Sequence, residues 1–377
     1  MRATPQTCVR AAPSGYQPAL DGLRAVSILL VVASHLGVSP LIPGGFGVTL
    51  FFFISGYLIT GQLLKSLHTT GRIGFAGFYL RRALRLLPAG LAYIVVAGLA
   101  FQMAGGSLPL SAWAAAIIHG ANYADIWGWF RSTLHGVRHP FNILWSLAIE
   151  EHFYVIWPAA LAALRGTRRA IVFLVALCAV TLLWRIVLLH ACFAPGETNS
   201  PGFCGPPEPG PFLHYDRLYF ATDTRLDAIA YGALMALLET RIALAGARRA
   251  CLGLFLLILS FALTGGLGRD ALRGTLQGIA FLALVPWLNQ PSSWPYRLLC
   301  LAPFLLIGRL SYSLYLWHWA ALGAADIIAP HHYQHWFAIA APLSCVLAAA
   351  SYWGIERPML RVRRRFGSHV KQASASF

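Results

Sequence analysis

The stretch IVFLVALCAVTLLWRIVLL, residues 171–189, decides the fold class. It holds one formal charge, Arg185, and reads as a single apolar run. As a helix rising about 1.5 Å per residue it reaches across a hydrocarbon layer of about 30 Å. Its residues do not alternate apolar and polar, so it is not a barrel strand. Working outward, apolar stretches recur at 20–37, 46–64, 86–104, 108–123, 142–164, 170–192, 217–240, 251–266, 274–290, 303–328 and 335–355.

Composition agrees with this reading. Hydrophobic residues make up 58% of the 377, and charged residues 11%. A soluble domain carries about 25% charged residues. A soluble enzyme, a disordered chain and a fibrous repeat are therefore excluded. The expectation is an all-α, polytopic helical bundle, because lipid cannot satisfy exposed backbone groups.

Net charge is +16, and only Lys65 and Lys371 among the 29 basic residues are lysine. Basic loops hold the cytoplasmic side of a membrane protein, which accounts for the charge without nucleic acid. No soluble segment is long enough for a nucleic-acid-binding module.

The same rule sets the number of spans. The stretch 108–123 is short and is interrupted by His119 and Asn122. If it does not cross, twenty Lys and Arg fall on the side of the N-terminus and four on the other. If it crosses, Arg165, Arg168, Arg169, Arg248, Arg249 and the basic tail move to the wrong side. Ten spans with both termini cytoplasmic are therefore expected, in the cell inner membrane. Residues 1–19 form a cytoplasmic segment, 20–355 the membrane domain and 356–377 a basic cytoplasmic tail. The seven cysteines show no metal-ligand spacing, and no metal is expected. Cys192 and Cys204 flank the start of a Pro/Gly-rich outer loop, where a disulfide is plausible.

Charges inside spans are costly and mark sites or buried pairs. By helix rise, His35, Glu150, Glu151, Arg185, Asp223, Arg225 and Asp227 fall in one layer in the outer half of the bilayer. This layer fits a polar cavity; Arg185 and the Asp223, Arg225, Asp227 group also fit purely structural pairing. Adjacent carboxylates on a helix point about 100° apart. Glu150 is expected to face His35, sharing its helix face with Ser146, and Glu151 to pair with Arg185 or Arg225.

Several motifs occur in fixed order. Arg24 and His35 are separated by ten residues. Gly44-Gly-Phe-Gly-Val-Thr-Leu-Phe-Phe-Phe-Ile-Ser-Gly-Tyr57 follows, then Arg81-Arg82-Ala-Leu-Arg85. Next come Trp145-Ser-Leu-Ala-Ile-Glu-Glu-His-Phe-Tyr154, Thr224-Arg-Leu-Asp227, Gly308-Arg-Leu-Ser-Tyr-Ser-Leu-Tyr-Leu-Trp-His318 and Glu356-Arg-Pro358. In this order, from about Leu20 to Pro358, the chain resembles the acyltransferase-3 family of integral membrane O-acyltransferases.

The resemblance implies about ten helices and transfer of an acyl group, commonly acetyl, from cytoplasmic acyl-CoA to a hydroxyl. Its Arg-x10-His motif falls on Arg24 and His35, and its Arg-x-x-Arg motif on Arg82 and Arg85. His152 stands where the family usually has Gln. The chain stops about 20 residues past its last span, without the hydrolase-like domain that many relatives carry, and reads as the stand-alone form.

The chemistry of the residues agrees. A hydroxyl needs a general base, for which histidine is suited; His35 is the candidate. A carboxylate, Glu150 or Glu151, orients such a ring, with Arg24 also in the catalytic set. Ser146 or an arginine is a candidate oxyanion donor. Arg81, Arg82 and Arg85, with no acid between 65 and 85, suit the phosphates of CoA, although ordinary positive-inside anchoring has the same appearance. Trp145, Ser146, Asp223, Arg225, Asp227, Trp317 and His318 are candidates for the acceptor; Trp317 and His318 also fit an interfacial aromatic belt.

The expected acceptor is an extracytoplasmic glycan, with an exopolysaccharide, cellulose-like or heteropolymeric, as the choice. The expected partners are membrane lipid, the glycan, and polysaccharide synthase or export proteins. A transporter and a non-catalytic export subunit also fit an intramembrane polar layer, although no internal repeat is evident.

Overall fold

The computed structural model describes residues 16–39, 43–130, 133–193, 216–239, 246–263, 268–330 and 333–365. Their regular secondary structure is all helical. In chain order the helices are α1 Pro18–His35, α2 Gly44–Thr70, α3 Phe75–Met103, α4 Leu110–Ile117, α5 Ala121–Ile126, α6 Trp145–Leu164, α7 Thr167–Phe193 and α8 Asp216–Phe220. They continue with α9 Thr222–Glu239, α10 Ala247–Ala262, α11 Arg273–Leu288, α12 Trp294–Leu299, α13 Ala302–Ile328, α14 Tyr333–Ser351 and α15 Arg357–Arg365. Short π-helical turns, Gly268–Leu272 and Tyr352–Glu356, lead into α11 and α15.

Ten of these helices correspond to the ten stretches expected to cross. Among the described residues, seven segments are long and apolar enough to span by those criteria: α1, α2, α3, α6, α7, α11 with its preceding turn, and α14 with its continuation. The other three depart for readable reasons. α9 carries Asp223, Arg225 and Asp227, α10 has 16 residues, and α13 is interrupted by Arg309, Ser311, Ser313 and His318. Residues 108–123 form no long helix. Gly120 and the left-handed His119 (φ 59°) separate α4 from α5. Eight residues at about 1.5 Å each cover less than half of the hydrocarbon core.

α7 shows why an apolar sequence packs one way round. Ala170, Leu174, Cys178, Thr181, Arg185 and Leu188 are all buried and recur every three or four residues. Val172, Val175, Val180, Leu183 and Val187 are more than half exposed on the opposite face. Valine and leucine there suit lipid, whereas Thr181 and Arg185 must turn inward to find partners.

The chain divides into two compact units. The first comprises residues 1–64 and 152–311; the second comprises 65–151 and 312–377. In the first unit, α2 and α9 cross at two glycines. A Cβ on Gly56 would strike the Ile229 carbonyl, and one on Gly232 would strike that of Phe53. This is small-residue packing, which lets membrane helices approach backbone to backbone. α7 packs on α9, α9 on α11 and α11 on α10 beside that crossing. Two ties lock the opposite end: Tyr57 donates to Glu239 at 2.8 Å, and Gln17 bridges Tyr57 and Asn289 at 3.0 Å on each side.

In the second unit, α3 packs on α4 and on α15. Tyr93 donates to the Pro140 carbonyl at 2.6 Å and Tyr312 to that of Leu86 at 2.8 Å. Arg138 holds Asp326 through two short bonds, 2.6 and 2.7 Å, while its guanidinium lies over the rings of Trp319 and Trp336. Trp336 completes the clamp by donating to the same carboxylate at 2.8 Å. The expected Cys192–Cys204 pairing, residues 1–15 and most of the basic tail lie outside the described residues.

Candidate functional site

Each unit carries a charged centre within its apolar helices. In the first, His35 is the last residue of α1, which turns through Leu36 and the left-handed Gly37 (φ 65°). Ser34 packs on Gly44 at the start of α2. That end of α1 therefore belongs to the same end of the unit as the first turns of α2. Arg24, separated from His35 by ten residues, is buried, 4.0 Å from Asp21 and over the Phe51 ring at 5.3 Å.

The α7 and α9 charges sort themselves into pairs. Arg185 grips Asp227 at 2.6 Å, with both side chains 2% exposed or less. It also donates to Thr275 at 2.6 Å and to the Thr224 carbonyl at 3.2 Å. Of the two partners open to Arg185 from the sequence, a glutamate of α6 or an acid of the α9 group, the structure gives the second, Asp227. Four residues along α9, Asp223 is held by Arg217 at 2.5 and 2.7 Å and by the Trp184 indole at 2.7 Å. Both aspartates, expected at the acceptor, thus have their carboxylates engaged by arginine.

Arg225 stands apart. It is 8% exposed, and among the described residues no carboxylate lies within ion-pair distance of it. Its guanidinium donates to Thr49 at 3.1 Å and lies over Tyr219 (5.1 Å) and Phe52 (5.8 Å). It lines a cavity of about 340 Å³ formed by α2, α7, α8, α10 and α11. Arg185, Arg269 and Arg273 also reach this cavity. His152, in the position where Gln was expected, bonds Thr222 at 2.7 Å.

The second unit contains Glu150 and Glu151. Glu150 is buried, and Glu151 lies within electrostatic reach of Arg82 on α3. The Tyr312 phenol is close to both glutamates, to Glu356 and to Arg82. Glu356 in turn accepts from Ser313. Arg363, on α15, lies within electrostatic reach of Arg81 and Arg82. Sequence reading treated Arg363 as part of a tail anchor. Its amphipathic helical phase, with α15 packed on α3, is the signal that brings it to the motif.

Ser146 bonds Tyr315 at 2.6 Å, and the Tyr315 hydroxyl donates to the Ile143 carbonyl at 2.9 Å. A phenol has one proton, so Ser146 is the donor in the first bond and its proton is committed there. Trp145 and Trp317 are each 7% exposed, and His318 is fully buried. Trp317 packs edge-on against Tyr93, and His318 bonds the Leu314 carbonyl at 2.9 Å. Neither α13 residue forms an open wall.

His139 was missed by sequence reading. It is 2% exposed, stacked on Phe130 with ring centroids 4.7 Å apart. Its Nδ1 accepts the Phe141 amide at 3.2 Å, which places the proton on Nε2. Burial pushes its pKa down to about 4.

Buried charges held in an all-helical, apolar frame define a multi-pass membrane protein with a polar interior. The chain belongs to the acyltransferase-3 family: the Acyltransferase domain model matches residues 17–353. It is 29% identical over 367 residues to the O-acetyltransferase OatA of Staphylococcus aureus strain NCTC 8325. It is 30% identical over 369 residues to SAS0844 of S. aureus strain MSSA476, provisionally named an O-acetyltransferase. It is 29% identical over 375 residues to YrhL of Bacillus subtilis strain 168, provisionally named a peptidoglycan O-acetyltransferase. Each alignment covers 91% of this chain, which spans 57%, 57% and 55% of those relatives. No solved structure matches the chain.

Proposed function

We propose that this protein is a membrane O-acyltransferase that moves acetyl from cytoplasmic acetyl-CoA to a hydroxyl of an extracytoplasmic glycan. The observation that carries the reading is the convergence of Arg81, Arg82 and Arg363, three guanidiniums of two helices within electrostatic reach. Glu151 offsets part of this gathered positive charge, and a polyphosphate anion would be favoured beside the rest. The phosphates of CoA are such an anion, and arginine binds phosphate through a planar fork. Arg85, one helical turn beyond Arg81, adds to the same group. Family membership and the names of the relatives supply the acetyl group and the ester product.

In the reaction, the acceptor oxygen attacks the thioester carbonyl as His35 takes the hydroxyl proton. The new C–O bond forms, the C–S bond breaks, and the departing CoA thiolate takes a proton. The transient negative charge on the carbonyl oxygen needs a donor, for which an arginine is the candidate. The acceptor is an exopolysaccharide or, as the name of one relative suggests, peptidoglycan. Ten spans, cytoplasmic termini and an inner-membrane location complete the proposal, with membrane lipid and a polysaccharide synthase or export protein as partners.

The test is to supply inverted membrane vesicles with acetyl-labelled acetyl-CoA. The expected result is alkali-labile label on a glycan. Label that crosses into the lumen without becoming covalently bound identifies a transporter and refutes the reading.

A further inference from the structure

The 340 Å³ cavity of the first unit has an unusual charge balance. Four guanidiniums line it, those of Arg185, Arg225, Arg269 and Arg273, with Asp270 as the lining carboxylate. Asp227 neutralises Arg185 from behind, and Arg269 lies 3.5 Å from Asp270. Arg273 is satisfied by the backbone carbonyls of Ser260 and Leu263, which carry no net charge. Asp270 is shared between Arg269 and Arg273, and among the described residues no carboxylate lies within ion-pair distance of Arg225 or Arg273, so the four guanidiniums outnumber Asp227 and Asp270 by two charges. Arg225 is nine-tenths buried, and its Nε lacks a hydrogen-bond partner. An uncompensated buried cation is expensive, and such a group in a membrane bundle marks a functional site.

We propose that this cavity binds an anionic group, a carboxylate or a phosphate, on the glycan that accepts the acyl group. The inference rests on the acyltransferase reading and adds the chemical class of the acceptor. The volume suits a sugar ring rather than a lone ion, being within the range of small-molecule pockets, about 300–1,000 Å³. Tyr219 and Phe46 offer apolar surface for the ring, and Gln277 offers an amide for its hydroxyls. The first turns of α2 supply part of the wall, and Ser34, the neighbour of His35, packs on Gly44 at their start. An acid held by Arg225 and Arg273 therefore lies at the end of the unit that carries the candidate base.

The test uses the full chain in nanodiscs, titrated with glucuronate, inorganic phosphate and glucose and read by calorimetry. Glucuronate or phosphate is expected to bind saturably, and glucose far more weakly. Tighter glucuronate identifies an acidic sugar; tighter phosphate identifies a phosphorylated acceptor. Arg273→Gln should weaken the preferred anion by roughly tenfold or more, as expected for a lost charge-assisted bond. Arg269→Gln, at a more exposed position, provides a second variant if the first does not fold, with a smaller loss expected. Equal binding of glucose and both anions, or unchanged affinity in the variants that fold, overturns the proposal. Acetyl transfer from acetyl-CoA is measured in parallel. Transfer without anion binding refutes the cavity's role alone; anion binding without transfer refutes the acyltransferase reading and leaves the anion site standing.

Discussion

Arg185 and Asp227 form a buried two-point ion pair, 2.6 Å at its shorter arm, that joins the middle of α7 to the first turns of α9. The pair fixes which face of each helix looks inward. It also leaves Arg225, two residues away, lining the cavity, with no carboxylate within ion-pair distance among the described residues.

Breaking the pair from one side should be costly. Arg185→Leu leaves the Asp227 carboxylate buried alone and should destabilise the protein by about 3–5 kcal/mol. Arg185→Leu combined with Asp227→Leu removes both charges and should recover much of that loss. Thermal unfolding of the single and double variants in detergent checks this. A double variant as unstable as the single would show that the pair's charges are not what matters.

The α2–α9 crossing depends on the absence of side chains at Gly56 and Gly232. Gly56→Leu or Gly232→Leu should reduce folded yield severely, since overpacking of even tight soluble cores costs about 1–3 kcal/mol. Gly61→Leu, on the same helix with nothing near its Cβ position, should be tolerated. Size-exclusion profiles of the three variants make the comparison.

His139 predicts an acid sensitivity. Its folded pKa, about 4, lies below the ordinary value of 6.5. The unfolded chain therefore takes up a proton first as pH falls. Stability is complete above about pH 6.5 and declines toward pH 4, by about 3 kcal/mol over that window. His139→Phe should flatten this part of the melting-temperature profile. An identical slope in the variant would assign the sensitivity to other groups.

Membrane orientation is open to labelling. A cysteine placed by Thr167→Cys should react only from the cytoplasm, and one placed by Ser200→Cys only from outside. The reverse pattern would restore 108–123 as a crossing segment.

The donor motif gives a kinetic prediction. Arg82→Ala, Arg85→Ala and Arg363→Ala should each raise KM for acetyl-CoA by roughly tenfold, a lost charge-assisted bond, with less effect on KM for the acceptor. Steady-state assays with each substrate varied in turn would show it.

What could be read from the sequence was what one helix settles alone. Apolar length and basic flanks are local properties, so the long helices and the shortness of 108–123 were legible. The shared level of Arg185, Asp223 and Asp227 along their helices was legible too, because rise per residue is constant. Azimuth was not. Arg185, Asp223 and Asp227 were placed in one layer, but their pairing depends on the face each helix turns to its neighbour. Arg269 and Arg273 were counted as loop charges, and only the packing of α10 and α11 brings them to the cavity. Arg363 joined the α3 arginines because α15 folds back on α3. His139 carried no motif, and its burial comes from Phe130 and neighbouring rings.

The central claim is acyl transfer with His35 as base, and one measurement addresses it most directly. Vesicles holding either the unaltered protein or His35→Ala, matched for inserted protein, are given acetyl-labelled acetyl-CoA, and ester-bound label on glycan is counted. The account predicts alkali-labile label with the unaltered protein and none above background with His35→Ala. Equal labelling by the two would contradict it.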